Sequence, residues 1–325
     1  MRTEDSRPRL IVWQLTGDRK TAHVPLGAGI PLFTDEFTMQ ECMLTIESIS
    51  RVSRPILVLT GPGVVRFPEL FEIVQYGFAL GLKVIVEGTP EELSGELLLK
   101  YTGFGRRVFR ILIDGRVAEG VETRYDETPG FRALEECVAR LRKAGYEIHL
   151  GMKLGAIEAR QLAFIHDYAF RRSADGLYFH LDWTGAAPVV PEAEIEGERS
   201  DKIIQSIATI KLSSPRGMLF SPQCIRYSRR DEPEVESGNG PGAASALPVQ
   251  WCHSCVGGKT YAFITPEGNV QICKNLSAGS DDLRSNGYDF KGIWERSGLL
   301  DDLRARSQSC AETRVALSEF EEEAI

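Results

Sequence analysis

Pro55-Ile56-Leu57-Val58-Leu59-Thr60-Gly61, followed by 68–81 and then Lys83-Val84-Ile85-Val86, decides the fold. The first stretch is a short apolar run that ends in glycine, the signature of a strand buried on both faces. The second has a proline near its first turn and a glycine at its end, the punctuation of a helix. The third is again a buried strand. A strand, helix and strand at these spacings predict a right-handed parallel crossover.

Outward from this unit the rhythm repeats. Upstream, Leu10 to Leu15 reads as a buried strand, and Thr38 to Val52 carries Met39, Met43, Ile46 and Ile49 at helical spacing. Downstream, Pro90 to Tyr101 is helical and Val108 to Ile113 is a strand closed by Asp114-Gly115. Gly130 to Ala144 is a helix stopping at Gly145, Glu147 to Met152 a strand, Ile157 to Phe170 a helix and Gly176 to Leu181 a strand. The predicted class is α/β, a partial or complete parallel (β/α) barrel whose site lies at the C-terminal ends of the strands. An open doubly wound sheet produces the same pattern and stays open as the alternative.

This barrel-like part is expected to occupy residues 1–190. Residues 191–248 read as a connection, with a helix over 202–212, an extended Met218 to Cys224 and a Gly-, Ala-, Ser- and Pro-rich linker over 232–248. Residues 249–325 read as a small cysteine-bearing domain with an acidic tail. A net charge of -8 argues against a general nucleic-acid binder, because phosphate neutralisation needs a basic face. The polar N-terminus has no signal-peptide core, and no apolar run reaches membrane-spanning length. A cytoplasmic protein is therefore expected, and its seven cysteines point to metal binding or burial rather than disulfides.

Cys42 and Cys137 fall on helical faces and read as buried small hydrophobes. The other cysteines are richer in meaning. Cys252 and Cys255 form a C-x-x-C pair, a spacing at which two thiolates grip one metal centre. Between Cys255 and Cys273, Thr265-Pro266-Glu267-Gly268-Asn269 reads as the turn of a hairpin that carries Cys273 back toward the pair. Cys310 is the candidate fourth ligand and Cys224 the reserve. Four thiolates suit either zinc or an iron–sulfur cluster. His253 reads as a loop residue.

Taken together, the two ends of the chain resemble the radical S-adenosylmethionine (SAM) superfamily with its SPASM or twitch extension, and are similar above all to members acting in haem synthesis and peptide maturation. Pro8 to Thr16 resembles the family's first strand, Pro55 to Gly61 the second strand entering its Gly-Gly-Glu-Pro motif, and Phe109 to Gly115 the fourth strand. Thr128-Pro129-Gly130-Phe131 and Leu141 to Gly145 are similar to its fourth helix. The C-terminal family pattern of Cys, spacer, Gly, four residues and Cys is matched by Cys255, Gly268 and Cys273, with Ile293 to Arg304 similar to the helical part that follows. The resemblance implies a radical-SAM barrel and one auxiliary iron–sulfur cluster, of the [4Fe–4S] type, held by Cys252, Cys255, Cys273 and Cys310.

Three elements depart from the family. Its C-x-x-x-C-x-x-C loop after the first strand is Thr16-Gly17-Asp18-Arg19-Lys20-Thr21-Ala22-His23 here, without a cysteine. Its Gly-Gly-Glu-Pro motif, which receives the SAM amino group, is Gly61-Pro62-Gly63-Val64, and its Thr-Asn-Gly is Glu87-Gly88-Thr89. SAM is therefore not expected as a cofactor. The expected function is that of a pseudoenzyme that binds or presents a peptide or a tetrapyrrole, or partners an active radical SAM relative. One alternative is acid–base chemistry at the barrel mouth by Asp18, Lys20, His23, Glu87 and Asp114, each of which otherwise reads as a solvated loop charge. The other is a zinc-stabilised structural protein.

Overall fold

In the computed structural model, the described residues are 6–17, 37–94, 107–113, 117, 128–153, 159–180, 219–220, 226–229, 249–252, 257–272 and 281–306. The strands are β1 (Leu10–Gln14), β2 (Ile56–Thr60), β3 (Lys83–Gly88), β4 (Val108–Ile113), β5 (Glu147–Lys153), β6 (Gly176–His180), β7 (Leu219–Phe220), β8 (Arg226–Arg229), β9 (Val249–Cys252), β10 (Tyr261–Ile264), β11 (Asn269–Gln271) and β12 (Asp281–Asp282). The helices are α1 (Met39–Val52), α2 (Leu70–Ala79), α3 (Pro90–Leu93), α4 (Pro129–Lys143), α5 (Ala159–Arg171), α6 (Phe290–Arg296) and α7 (Gly298–Arg306). None of the helices in the described residues is long and apolar enough to cross a membrane.

Ten strands make one sheet in the order β12-β11-β10-β1-β2-β3-β4-β5-β6-β7, and β1 through β7 pair in parallel. A doubly wound sheet reverses its strand order at a switch point. This one runs from β1 to β7 in chain sequence without reversal, so it is a singly wound partial barrel whose edges among the described residues are β12 and β7. The two faces confirm this. One carries a core shared by strand residues such as Ile11, Leu57 and Ile111 with helix residues Ile46, Ile73, Leu134 and Leu162. The other is an apolar layer of strand residues alone: Leu10, Val12, Val58, Ile85, Val108, Tyr178, Tyr261 and Phe263.

Local chemistry sets the helix starts. Thr38 caps α1 by accepting from the Glu41 N–H, while the Glu41 carboxylate accepts from the Thr38 N–H, a reciprocal capping box. Thr89 and Glu92 repeat the device at α3, where Pro90 occupies the first turn. Cys42 and Cys137 are buried and form no disulfide, and burial pushes the Cys137 thiol up to about 12, so it is inert.

The C-terminal hairpin docks on the barrel sheet. Tyr261–Ile264 and Asn269–Gln271 pair antiparallel around a turn in which Gly268 adopts φ +105°, as the Pro-Glu-Gly sequence requires. Yet β10 also lies parallel against β1, with Leu10 opposite Tyr261 and Trp13 opposite Ile264. Residues 257–306 therefore share a sheet and a core with the barrel, to which Ala262, Val270, Phe290 and Trp294 all contribute. The physical reason is that β1 has two edges: β2 takes one, and the apolar β10 satisfies the other.

Candidate functional site

The inner face of the partial barrel changes character halfway up. Below lie Val12, Val58, Ile85, Val108 and Phe263. Two residues further along each strand the inward positions become Gln14, Thr60, Glu87, Arg110 and His149, because side chains alternate faces with period two. The result is a polar belt inside an otherwise apolar barrel. Glu87 and Arg110 are opposite each other on β3 and β4 and form an ion pair at 2.9 Å, their side chains 6% and 0% exposed. Thr60 donates its hydroxyl to the other Glu87 oxygen at 3.1 Å.

The expectation for Glu87 needs correction here. Its alternative reading as a solvated loop charge assumed that the third strand ends at Val86. Pairing with β4 carries β3 on through Gly88, so Glu87 lies within the strand and faces its buried partner. Asp18, Lys20, His23 and Asp114 lie outside the described residues.

Glycines on neighbouring strands make room for the large members of the belt. A Cβ at Gly151 would come within 2.9 Å of the Arg110 Cδ, and one at Gly176 within 2.9 Å of the His149 ring. Through the space that Gly151 leaves, the Arg110 guanidinium lies over the Tyr178 ring, 3.6 Å from its centroid. Burial pushes the Tyr178 hydroxyl up to about 12, although the Arg110 charge pulls the other way. His149 sits beside Glu147, whose carboxylate also binds Lys83 at 2.8 Å. That contact leads out of the barrel, since Lys83 is 40% exposed.

Sequence reading missed Arg110 and His149. The available signal was a full charge and an imidazole in the middle of Val108-Phe109-Arg110-Ile111-Leu112-Ile113 and Glu147-Ile148-His149-Leu150, runs otherwise apolar enough to be buried on both faces. A polar residue forced inside such a strand needs a partner, and the partner was Glu87.

Burial and the Arg110 charge hold His149 down to about 4, so it is neutral at physiological pH. The unfolded chain takes up a proton near pH 6.5 that the fold refuses until about pH 4. Stability is therefore expected to fall as pH drops through this window, by about 1.4 kcal/mol per pH unit at the steepest. Urea midpoints at pH 7 and pH 5 should differ less in His149→Gln than in the wild type. Equal losses in both proteins would remove His149 as the cause.

Above the belt, the chain leaves β2 through a turn that is closed by its own residues. Gly61 adopts φ +128°, and a Cβ there would stand 2.3 Å from the Thr16 Oγ1 and 2.6 Å from the Thr16 carbonyl oxygen. Gly63 adopts φ +68°, and its N–H donates to the Glu92 Oε1 at 2.7 Å. The second Glu92 oxygen accepts from the Thr89 N–H, so one carboxylate ties the turn after β2 to the start of α3.

Of the thiolate candidates, Cys252 ends β9 opposite Arg226 on β8. Cys255, Cys273, Cys310 and Cys224 lie outside the described residues. The described neighbours of the central pair do meet: a Cβ at Gly257 would lie 2.5 Å from the Ile272 carbonyl oxygen. Only glycine allows that approach, which sets the chain following Cys255 against the residue preceding Cys273.

No family model matches the chain. It is 24% identical over 326 residues to an AdoMet-dependent heme synthase of Methanosarcina barkeri, covering 91% of this chain and 85% of that protein. It is 23% identical over 317 residues to the AdoMet-dependent heme synthase of Oleidesulfovibrio alaskensis, covering 93% and 78%. Among solved structures, Streptococcus suis SuiB bound to precursor peptide SuiA shares the fold with a TM-score of 0.59 at 10% identity, covering 92% of this chain and 67% of that one. The chain is thus similar in sequence to AdoMet-dependent heme synthases and in fold to SuiB.

The residues around the first two strands do not fit the SAM-binding iron–sulfur cluster of the proteins the sequence resembles. Between Thr16 and Cys42 the chain has no cysteine, and a cluster with one iron open to SAM needs three thiolates. At the Gly-Gly-Glu-Pro position, the Gly63 N–H is already engaged by Glu92. For an auxiliary cluster the donor set is chemically suitable, because Cys252, Cys255, Cys273 and Cys310 supply four soft ligands.

Proposed function

We propose that this chain is a radical-SAM-fold protein that does not cleave SAM, carries one auxiliary [4Fe–4S] cluster on Cys252, Cys255, Cys273 and Cys310, and holds a tetrapyrrole in its partial barrel. The observation that carries this reading is the sealed turn after β2. Where the family motif offers a carboxylate and backbone to SAM, this chain spends its Gly63 N–H on Glu92. Below it, Glu87 and Arg110 neutralise each other. The polar belt is thus organised to bind and orient a ligand rather than to exchange protons with water. The relatives' name, heme synthase, supports a tetrapyrrole as the ligand class. A role as partner of an active relative fits the same reading, since such a protein would present its ligand to another chain.

Anaerobically purified protein incubated with SAM and dithionite is expected to yield no 5′-deoxyadenosine above the protein-free control. Iron and sulfide should approach about four of each per chain, the content of one [4Fe–4S] cluster, and the protein should be brown. Stoichiometric 5′-deoxyadenosine would overturn the SAM-silent reading. A colourless protein containing zinc would transfer the cysteines to a structural zinc site.

A further inference from the structure

The belt has one feature that its internal contacts do not use. Arg110 has five N–H groups, and in a guanidinium the Nε–H and one Nη2–H lie side by side and nearly parallel. In this protein Nη1 serves Glu87, while Nε and Nη2 are buried and have no hydrogen-bond partner among the described residues. The guanidinium cannot turn to bring them elsewhere. Glu87 holds one corner, the Tyr178 ring covers a face, and Gly151 leaves space beneath the stem. Two buried donors without partners are costly, by about 1–3 kcal/mol each, unless something else accepts from them.

We infer that the Nε–Nη2 edge of Arg110 is a carboxylate anchor: it grips one acidic group of the ligand bidentately, at the level of the Thr60–Glu87–Arg110 belt. The inference rests on the binding reading above and deepens it, by requiring that the ligand carry a carboxylate on its periphery. A parallel pair of N–H donors matches the two oxygens of a carboxylate better than any neutral acceptor does. The arrangement also explains why an ion pair occupies the middle of a barrel that could have been filled with Val and Leu. Glu87 stabilises the cation in the ligand-free protein and fixes the fork; an incoming carboxylate then completes the hydrogen bonding on the opposite edge. His149, neutral and with an unpartnered Nδ1 of its own, adds no competing charge beside it.

The test uses the full chain labelled with 15N, following the Arg110 Nε–H resonance, identified by its loss in Arg110→Lys. The probes are sodium propionate, propionamide, metal-free protoporphyrin IX and the dimethyl ester of the same porphyrin. Propionate and protoporphyrin IX should both move the resonance, whereas propionamide and the ester should not. Arg110→Lys keeps a positive charge for Glu87 but loses the fork, and should bind protoporphyrin IX about tenfold more weakly while binding the ester unchanged. If protoporphyrin IX binds and the Nε–H does not move, the anchor is wrong and the tetrapyrrole reading survives. If propionate moves the resonance but neither porphyrin binds, the anchor stands and the ligand is another carboxylate, such as an acidic peptide. Should neither propionate nor the porphyrin acid move the Nε–H, the edge is no carboxylate site. The neutral pair Glu87→Gln/Arg110→Gln gives the same answer by affinity alone if Arg110→Lys does not fold: it should lose the preference for acid over ester.

Discussion

Glu87→Ala is expected to lower the unfolding free energy by about 3–5 kcal/mol, the usual cost of stranding one member of a dry ion pair. The Arg110 side chain has no exposure to water, and Glu87 is its acidic partner through Nη1. With Glu87 gone, a full positive charge would stay in a layer bounded below by Val12, Val58, Ile85 and Phe263. Arg110→Ala should cost a similar amount for the mirror reason, with the added loss of packing on Tyr178. The double change Glu87→Leu/Arg110→Met should recover much of the loss, because apolar groups of similar volume carry no desolvation penalty. Urea denaturation of the four proteins gives the coupling directly as a double-mutant cycle. A cost below about 1 kcal/mol for either single change would mean that water reaches the belt, as at an exposed pair. The double variant should also lose any preference for acidic ligands, so a stable protein would be bought at the expense of the belt's purpose.

Gly61→Ala is the second large effect, expected to cost about 3 kcal/mol. Its backbone at φ +128° is a conformation that side chains rarely adopt, worth about 1–3 kcal/mol of strain. The new methyl group would also overlap the Thr16 hydroxyl and carbonyl, at 2.3 Å and 2.6 Å, and backbone is not free to move aside. The ends of β1 and β2 would have to separate where Leu15 N–H bonds the Thr60 carbonyl. Gly63→Ala offers the contrast. It shares the positive φ but meets nothing within 4 Å, so its cost should be confined to the backbone, about 1 kcal/mol. Thermal midpoints in the order wild type, Gly63→Ala, Gly61→Ala express the prediction. Equal losses at the two glycines would show that strain alone matters and that the Thr16 contact does not.

The difference between these glycines also shows how much of the site could be read in advance. Gly61-Pro62-Gly63-Val64 is recognisable as a position resembling a family motif, and the absence of that motif's carboxylate is plain from the residues. That Glu92, 29 positions later than Gly63, supplies a carboxylate to the same turn was not. Nothing in Thr89-Pro90-Glu91-Glu92 distinguishes a capping glutamate from one that caps and also reaches across to another loop. Cys42 and Cys137 were placed correctly because a small apolar side chain on a helical face has one ordinary destination. Glu87 was misplaced because strand ends depend on the neighbouring strand as much as on local composition.

By itself the sequence determined the alternation of parallel strands with helices, while the strand order that separates a partial barrel from a doubly wound sheet came from the structure. Short apolar runs bounded by Gly and Pro, separated by helical periods of suitable length, can bury both faces only as successive parallel strands under helices. It also determined that Thr16 to His23 cannot hold a cluster, since ligand chemistry is a property of residue type. The tertiary structure alone decided which strand takes the second edge of β1, where Tyr261 to Ile264 docks although it lies some 250 residues away. It alone decided that Glu87 and Arg110 share one layer, because pairing across strands sets register, and register is a property of two segments together. The polar belt and its unused guanidinium edge follow from that register, which is why no single stretch of the chain announced them.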